Sequence, residues 1–274
     1  MTNSLPEGQY MDLDVGCRLH YHDQGEGQPI IFIHGSGQGA SGWSNFNENA
    51  AYFNDKGCRT LMPDLPGFGL SSKPQDIEYH LDFFVDGIHE FVSRLELKNF
   101  VLVGNSLGGA ISLRYALKYP DQLAKLILMA PGAIEPQETY KQMPGIQSVF
   151  KLAYTPGELK REDIEKIIRL QVYDSSNLTD DVIDERFAIA QAQPKEVWKK
   201  MKVPYLGDRL EEIECPILVF WGSEDKFLPV SGAQVMASRC KDARNIVLSK
   251  CGHWVMKEKT ELFNRYSIDF LNEH

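Results

Sequence analysis

Gly104-Asn105-Ser106-Leu107-Gly108-Gly109 sets a serine among small residues in the spacing G-x-S-x-G. An apolar run from Asn99 to Gly104 precedes it, and a helical pattern from Leu107 to Tyr119 follows at once. A serine on such a strand-to-helix turn holds its hydroxyl out, and its small neighbours let the backbone take the sharp shape. The start of the helix adds a positive dipole end where negative charge would develop on an attacked carbonyl. The chemistry this suggests is nucleophilic attack by Ser106. The plain alternative is a Gly-rich turn with a solvated serine.

A serine nucleophile needs a base, and imidazole titrates near neutrality. Of the seven histidines, His253 follows the last strand-like run, in Ser249-Lys250-Cys251-Gly252-His253-Trp254. It alone completes the order nucleophile, acid, histidine. His34 precedes glycines and reads as a packing or hydrogen-bonding residue of its loop. His20 and His22 lie in an early polar strand, and His274 is the last residue. The acid should follow an earlier strand, and Phe220-Trp221-Gly222-Ser223-Glu224-Asp225 offers two. Asp225 is preferred on its spacing, with Glu224 second. Its task would be to hold the imidazole tautomer and stabilise the imidazolium. The two N–H donors of an oxyanion hole should come from Leu107, next to the nucleophile, and from Ser36 in the loop His34–Gly39. Asp64 reads as a loop-shaping residue, and Cys251, with no elbow around it, as a structural thiol.

Six short apolar runs would position these groups: 29–33, 58–63, 99–104, 123–129, 216–221 and 245–248. Unbroken aliphatic runs alternating with helical stretches indicate an α/β protein with a mostly parallel central sheet and helices on both faces. Ligand sites in such sheets lie beyond the carboxyl ends of the strands, where Ser36, Ser106, Asp225 and His253 fall. From about Gly132 to Gly207 the pattern is helical, broken at Pro144, Pro156, Pro194 and Pro204. The expected organisation is a first core half over 1–132, a helical lid over 133–207 and a second core half over 208–274.

The chain has 274 residues and a formal charge of −9, with Lys and Arg not gathered into runs. Such a surface repels phosphate backbones and anionic lipid, so neither nucleic acid nor membrane is an expected partner. An anionic substrate would need a local positive group. The five cysteines match neither a zinc site nor a disulfide framework, which fits reduced thiols in a cytoplasmic protein. Met1 to Tyr10 lacks a basic start and an apolar stretch, so no secretory signal is expected there.

Three segments together resemble the meta-cleavage-product hydrolases, α/β-hydrolase-fold enzymes that cleave a carbon–carbon bond in 2-hydroxy-6-oxo-dienoates from aromatic ring fission. They are 34–45, with His34-Gly35-Ser36-Gly37-Gln38-Gly39 and Asn45, then Gly104 to Gly109, then Ser249 to Trp254. The likeness extends through Trp221 to Pro229 and is looser in the lid. It implies that Asn45, Asn105 and Trp254 line the site against the dienoate end, and that Arg186 takes the carboxylate. Helical spacing independently puts Val182, Arg186 and Ile189 or Ala190 on one face. The alternative for Arg186 is a guanidinium that snorkels from the edge or pairs with a neighbouring acid. Two departures from the family are Gln38, where G-x-G-P-G has proline, and a shorter stretch from Trp198 to Leu210. The implied reaction is ketonisation of an anionic dienoate followed by hydrolysis, with no metal and no organic cofactor, in a family whose members are commonly homo-oligomers. Rival readings are a carboxylesterase or lactonase on the same fold, and a ligand receptor that keeps the triad.

Overall fold

The computed structural model describes residues 7–273, so His274 and Met1 to Pro6 lie outside the described residues. Eight strands form one sheet: β1 (Gln9–Leu13), β2 (Cys17–Gln24), β3 (Gln28–Ile33), β4 (Cys58–Pro63), β5 (Phe100–Asn105), β6 (Leu123–Met129), β7 (Ile217–Gly222) and β8 (Ala243–Leu248). Their order is β1-β2-β4-β3-β5-β6-β7-β8. The β1–β2 and β2–β4 pairings are antiparallel and the rest are parallel. The sheet therefore has two strands more than the apolar runs indicate. Both belong to the antiparallel margin, where β1 is largely exposed and β2 buries the polar rings of His20 and His22.

The continuous apolar runs are explained by burial on both faces. Successive residues of a strand point to opposite sides, and the core divides accordingly. Ile31, Ile33, Leu102, Leu126, Leu128 and Val219 pack into one cluster. Their neighbours Ile30, Phe32, Val101, Val103, Ile127 and Leu218 pack into the other. Over the first face lie α2 (Leu81–Arg94) and α3 (Leu107–Lys118), and over the second α1 (Gly42–Asp55). Ser41 caps α1 in a reciprocal box with Ser44, which fixes where that helix starts and so where Asn45 emerges.

Between β6 and β7 the strand alternation stops. Five helices fill the interval: α4 (Gln137–Lys141), α5 (Pro144–Tyr154), α6 (Arg161–Gln171), α7 (Asp180–Gln191) and α8 (Glu196–Lys200). Pro144 stands in the first turn of α5, where its missing N–H is harmless, and the other prolines fall between helices. After β7 come α9 (Ser231–Arg239), α10 (Val255–Glu258) and α11 (Thr260–Leu271), the last returning to the second face through Phe263, Ile268 and Phe270.

Gly108 is where α3 meets the sheet most closely. A Cβ there would lie far inside van der Waals contact with the carbonyl oxygen of Ile33. Since that oxygen belongs to the backbone of a central strand, Gly108→Ala should cost about 3 kcal/mol. The expected result is a Tm lower by about 6–10 °C in a thermal melt, and an unchanged Tm would remove this contact from the account.

Candidate active site

Ser106 occupies the turn between β5 and α3 with φ 58° and ψ −113°. A positive φ on a non-glycine residue is strained and persists only where its surroundings dictate it. Here they do. The Ser106 N–H donates to Met129 O at 3.0 Å, and its carbonyl accepts from the N–H groups of Ala110 and Gly132, each at 3.0 Å. The glycines make the turn sterically feasible: a Cβ on Gly109 would stand 2.7 Å from Cα of Pro131. Sequence spacing suggests this arrangement, and the backbone angles and bonds realise it.

His253 is buried after β8, and its Nδ1 donates to Oδ2 of Asp225 at 2.6 Å. The other carboxylate oxygen of Asp225 accepts from the N–H groups of Phe227 at 2.7 Å and Leu228 at 3.0 Å. Those bonds lock the carboxylate, and the Phe227 ring stacks on the imidazole at 5.1 Å. Bonding through Nδ1 leaves Nε2 as the basic nitrogen. The main-chain N–H groups of His253 and Trp254 both donate to Gln171 O, at 2.7 and 3.1 Å. Gln171 is the last residue of α6, whose terminal carbonyls lack intrahelical donors. Gly252 permits the approach, since a Cβ there would lie 2.7 Å from that oxygen. Glu224, the second candidate acid, turns the other way and accepts from the Cys251 N–H at 3.0 Å.

Ser106 stands between two cavities. One, of about 40 Å³, is the more polar of the two and is lined by Ser36, Asn45, Asn105, Arg186, His253 and Trp254, among others. The second, of about 230 Å³, is bounded by Ser36, Leu107, Ile146, Val149, Phe150 and Leu228, among others. Leu107 begins α3, so its N–H belongs to the first turn, where donors have no intrahelical acceptor. The loop of Ser36 is braced from the inserted helices. Nε1 of Trp198 donates to Ser36 O at 2.6 Å, and Oε1 of Gln193 accepts from the Gly39 N–H at 2.7 Å. Gly39 has φ 71°, and a Cβ there would collide with the Arg186 carbonyl, so α7 rests directly on this loop. Gln38, standing where the resembled family has proline, is buried with neither side-chain polar atom bonded among the described residues.

Arg186 is 3% exposed. Its Nη2 donates to Oδ1 of Asn45 at 2.5 Å and its guanidinium lies 4.5 Å from the centre of the Trp254 ring. No carboxylate within 4.0 Å pairs with it among the described residues. Burial lowers its pKa to about 10, which leaves it a cation at neutral pH. The buried stripe of α7 runs through Ile183, Arg186, Ile189 and Ala190. Val182 is partly exposed, so the face lies one residue further on than the spacing of Val182 suggests. Asn105 donates through Nδ2 to Met129 O at 3.2 Å and His253 O at 3.4 Å, which ties the elbow to the histidine loop.

All nine residues singled out from sequence thus border one of the two cavities or, for Asp225, bond a residue that does. Gln171, Gln193, Trp198 and Phe227 were not anticipated, because each acts from an inserted helix or loop whose packing no local pattern encodes. Asp64 accepts from the N–H groups of Gly42 and Leu70, at 2.7 and 2.8 Å, and lies 2.8 Å from His20 Nδ1, so it binds a loop together. The Cys251 thiol is pushed up to about 12 by burial, which makes it a poor nucleophile. Among the described residues no group of three or more His, Cys, Asp or Glu is placed to hold a metal ion, and no helix is long and apolar enough to cross a membrane.

A family model described as alpha/beta hydrolase fold matches residues 28–260. A 2-hydroxy-6-oxo-6-phenylhexa-2,4-dienoate hydrolase of Comamonas testosteroni is 35% identical over 265 residues, covering 93% of this chain and 91% of that protein. A 2-hydroxy-6-oxononadienedioate/2-hydroxy-6-oxononatrienedioate hydrolase of the same organism is 34% identical over 263 residues, with the same shares covered. Among solved structures, a mutant meta-cleavage product hydrolase from Pseudomonas fluorescens IP01, complexed with acetates, superposes with a TM-score of 0.86. It is 28% identical and covers 98% of this chain and 99% of its own.

His34 anchors the start of the glycine loop in a single tautomer, with Nδ1 2.7 Å from Gly35 O and Nε2 accepting from the Leu65 N–H at 2.9 Å. Protonation would break the second bond, and burial lowers the pKa from 6.5 to about 4. Below pH 6.5 the unfolded chain takes up a proton that the folded protein refuses. Stability present above pH 6.5 is therefore lost as pH falls towards 4, by about 3 kcal/mol at most. Urea midpoints measured at steps from pH 7 to pH 4 should fall across that window, and more shallowly in His34→Gln.

Proposed function

The chain belongs to the α/β-hydrolase family and, within it, to the meta-cleavage product hydrolases, and we propose that Ser106, His253 and Asp225 carry its hydrolysis of a carbon–carbon bond in 2-hydroxy-6-oxo-dienoates. The observation that carries this reading is the pairing of a serine elbow with a buried, unpaired guanidinium across one small polar cavity. An ordinary esterase has no use for a cation there, whereas a dienoate brings a carboxylate to meet it.

In the proposed cycle the carboxylate end of the substrate enters the polar cavity against Arg186, with Asn45, Asn105 and Trp254 around the dienol. Transfer of the enol proton through His253 and protonation of the distal carbon turn the dienol into a ketone. That ketone can accept the electron pair released when the carbon–carbon bond breaks. Ser106, deprotonated by Nε2 of His253, attacks the carbonyl carbon beyond that bond. The N–H groups of Leu107 and Ser36 receive the oxyanion, while Asp225 stabilises the imidazolium. Cleavage leaves an acyl group on Ser106 and a 2-hydroxydienoate fragment, and water activated by His253 then hydrolyses the ester. The helices of 133–207 act as the lid that keeps bulk water from this sequence. The chain's own residues supply every group these steps use.

The second cavity takes the substituent beyond the scissile bond. Its walls are Leu107, Ile146, Val149, Phe150, Met201 and Leu228, with Lys141 at the rim. Lys141 is exposed and lies 2.9 Å from Glu138, whose charge offsets its own, so the pocket's walls rather than this rim cation set its character. The relatives include enzymes named for phenyl substrates and others named for dienedioates. The walls favour the phenyl or alkyl type.

Two measurements check these assignments. Ser106→Ala should lose at least about a thousandfold in kcat on a 6-phenyl dienoate, followed by bleaching of its absorbance, while substrate binding persists. Turnover within tenfold of wild type would refute Ser106 as nucleophile. In a stopped-flow series of varied 6-substituents, phenyl and alkyl dienoates should exceed carboxylated ones at least about tenfold in kcat/KM, since an unpaired carboxylate in an apolar pocket is poorly solvated. Rapid ester hydrolysis with no dienoate bleaching would favour the carboxylesterase or lactonase reading.

A further inference from the structure

Gln171 is 4% exposed and its side chain borders the polar cavity beside Ser106 and Arg186. Its Oε1 is buried with no hydrogen-bond partner among the described residues. Oε1 is an acceptor that no carboxylate can complete, so the half of this amide able to meet one is the donor Nε2. Its backbone already has a structural duty, accepting from His253 and Trp254, and any residue at 171 would perform that duty equally. The amide itself therefore calls for a separate explanation.

Gly37 supplies the geometry. A Cβ on Gly37 would lie 3.6 Å from Nε2 of Gln171 and 3.9 Å from Nη1 of Arg186. Two nitrogen donors, one neutral and one cationic, thus look onto the same bare patch of the cavity floor. Those distances are ordinary van der Waals separations, and the patch is open only because residue 37 has no side chain. A planar carboxylate has two oxygens, and one guanidinium edge already engaged by Asn45 leaves the second oxygen in need of a donor from another direction.

We propose that Gln171 and Arg186 form a two-donor carboxylate clamp above Gly37, with Gln171 as the neutral arm that receives the second carboxylate oxygen. This deepens the dienoate reading, because it rests on the carboxylate entering the polar cavity. Arg186 supplies the charge, and Gln171 supplies the orientation of the plane. It also follows that Gly37 is kept small for the ligand, whereas Gly39 is kept small for the fold.

The test is calorimetric titration with 6-oxo-6-phenylhexanoate and with its neutral methyl ester. Gln171→Leu should weaken the carboxylate about tenfold, and Gln171→Glu more, because a second negative charge would face the ligand. Gly37→Ala, which meets nothing closer than 3.6 Å, should fold and should also weaken the carboxylate. The methyl ester, which carries no charge, should lose less than the carboxylate in both Gln171 variants. An unchanged carboxylate Kd in Gln171→Leu overturns the clamp. So does an equal loss for the ester, which would mean that the substitution acts through the histidine loop. Bleaching of a dienoate by the wild type judges the carbon–carbon reading separately, so the two can fail independently.

Discussion

A guanidinium withdrawn from water with no carboxylate of its own is the constraint around which this interior is arranged. Arg186 keeps one hydrogen bond to Asn45 and the face of Trp254, and nothing anionic within 4.0 Å among the described residues. Stripping a charge of solvent is expensive unless other groups replace the water. The compensation is partial, which fits a position whose full complement arrives with a ligand. Everything else takes its place relative to that point. The elbow of Ser106 stands beside it, the apolar walls lie on the far side of the serine, and the five inserted helices cover both.

Two kinds of rigidity hold the reacting groups. The sheet provides the first, since Ser106, Asp225 and His253 all follow parallel strands and the Ser106 N–H bonds to the adjacent strand at Met129 O. The inserted helices provide the second. Trp198 and Gln193 grip the glycine loop, and α7 rests on Gly39. Gln38 is the conspicuous exception, with both amide atoms buried and unbonded in a loop otherwise well satisfied.

Much of this is legible in the sequence, for physical reasons that differ by element. The parallel strands show themselves because burial on two faces demands unbroken apolar runs, as in Ile30 to Ile33. The elbow is visible because a positive φ next to close packing needs glycines at fixed offsets. The triad order follows from strand ends. What escaped local reading is β1, which carries no apolar run, and the contributions of the inserted helices; the polar strand of His20 and His22 was visible but gave no sign of its place at the margin. Gln171 reads as an ordinary helix-end residue. Only the three-dimensional return of β8 brings the histidine loop against its carbonyl. Likewise the apolar stripe of α7 is displaced from Val182 to Ile183, because the helix rolls to seat Arg186 and so leaves Val182 at the margin.

The bonds from the His253 and Trp254 amides to the end of α6 join a covering helix to the proposed base by its main chain. A displacement of α6 would therefore pull on the segment that carries the imidazole, which Asp225 and Asn105 hold from the other side. The covering of the chamber on that side and the seating of the imidazole thus share one anchor, the Gln171 carbonyl. The opposite flank is built differently: α4 and α5 border the apolar chamber and, among the described residues, make no such bond to the histidine segment.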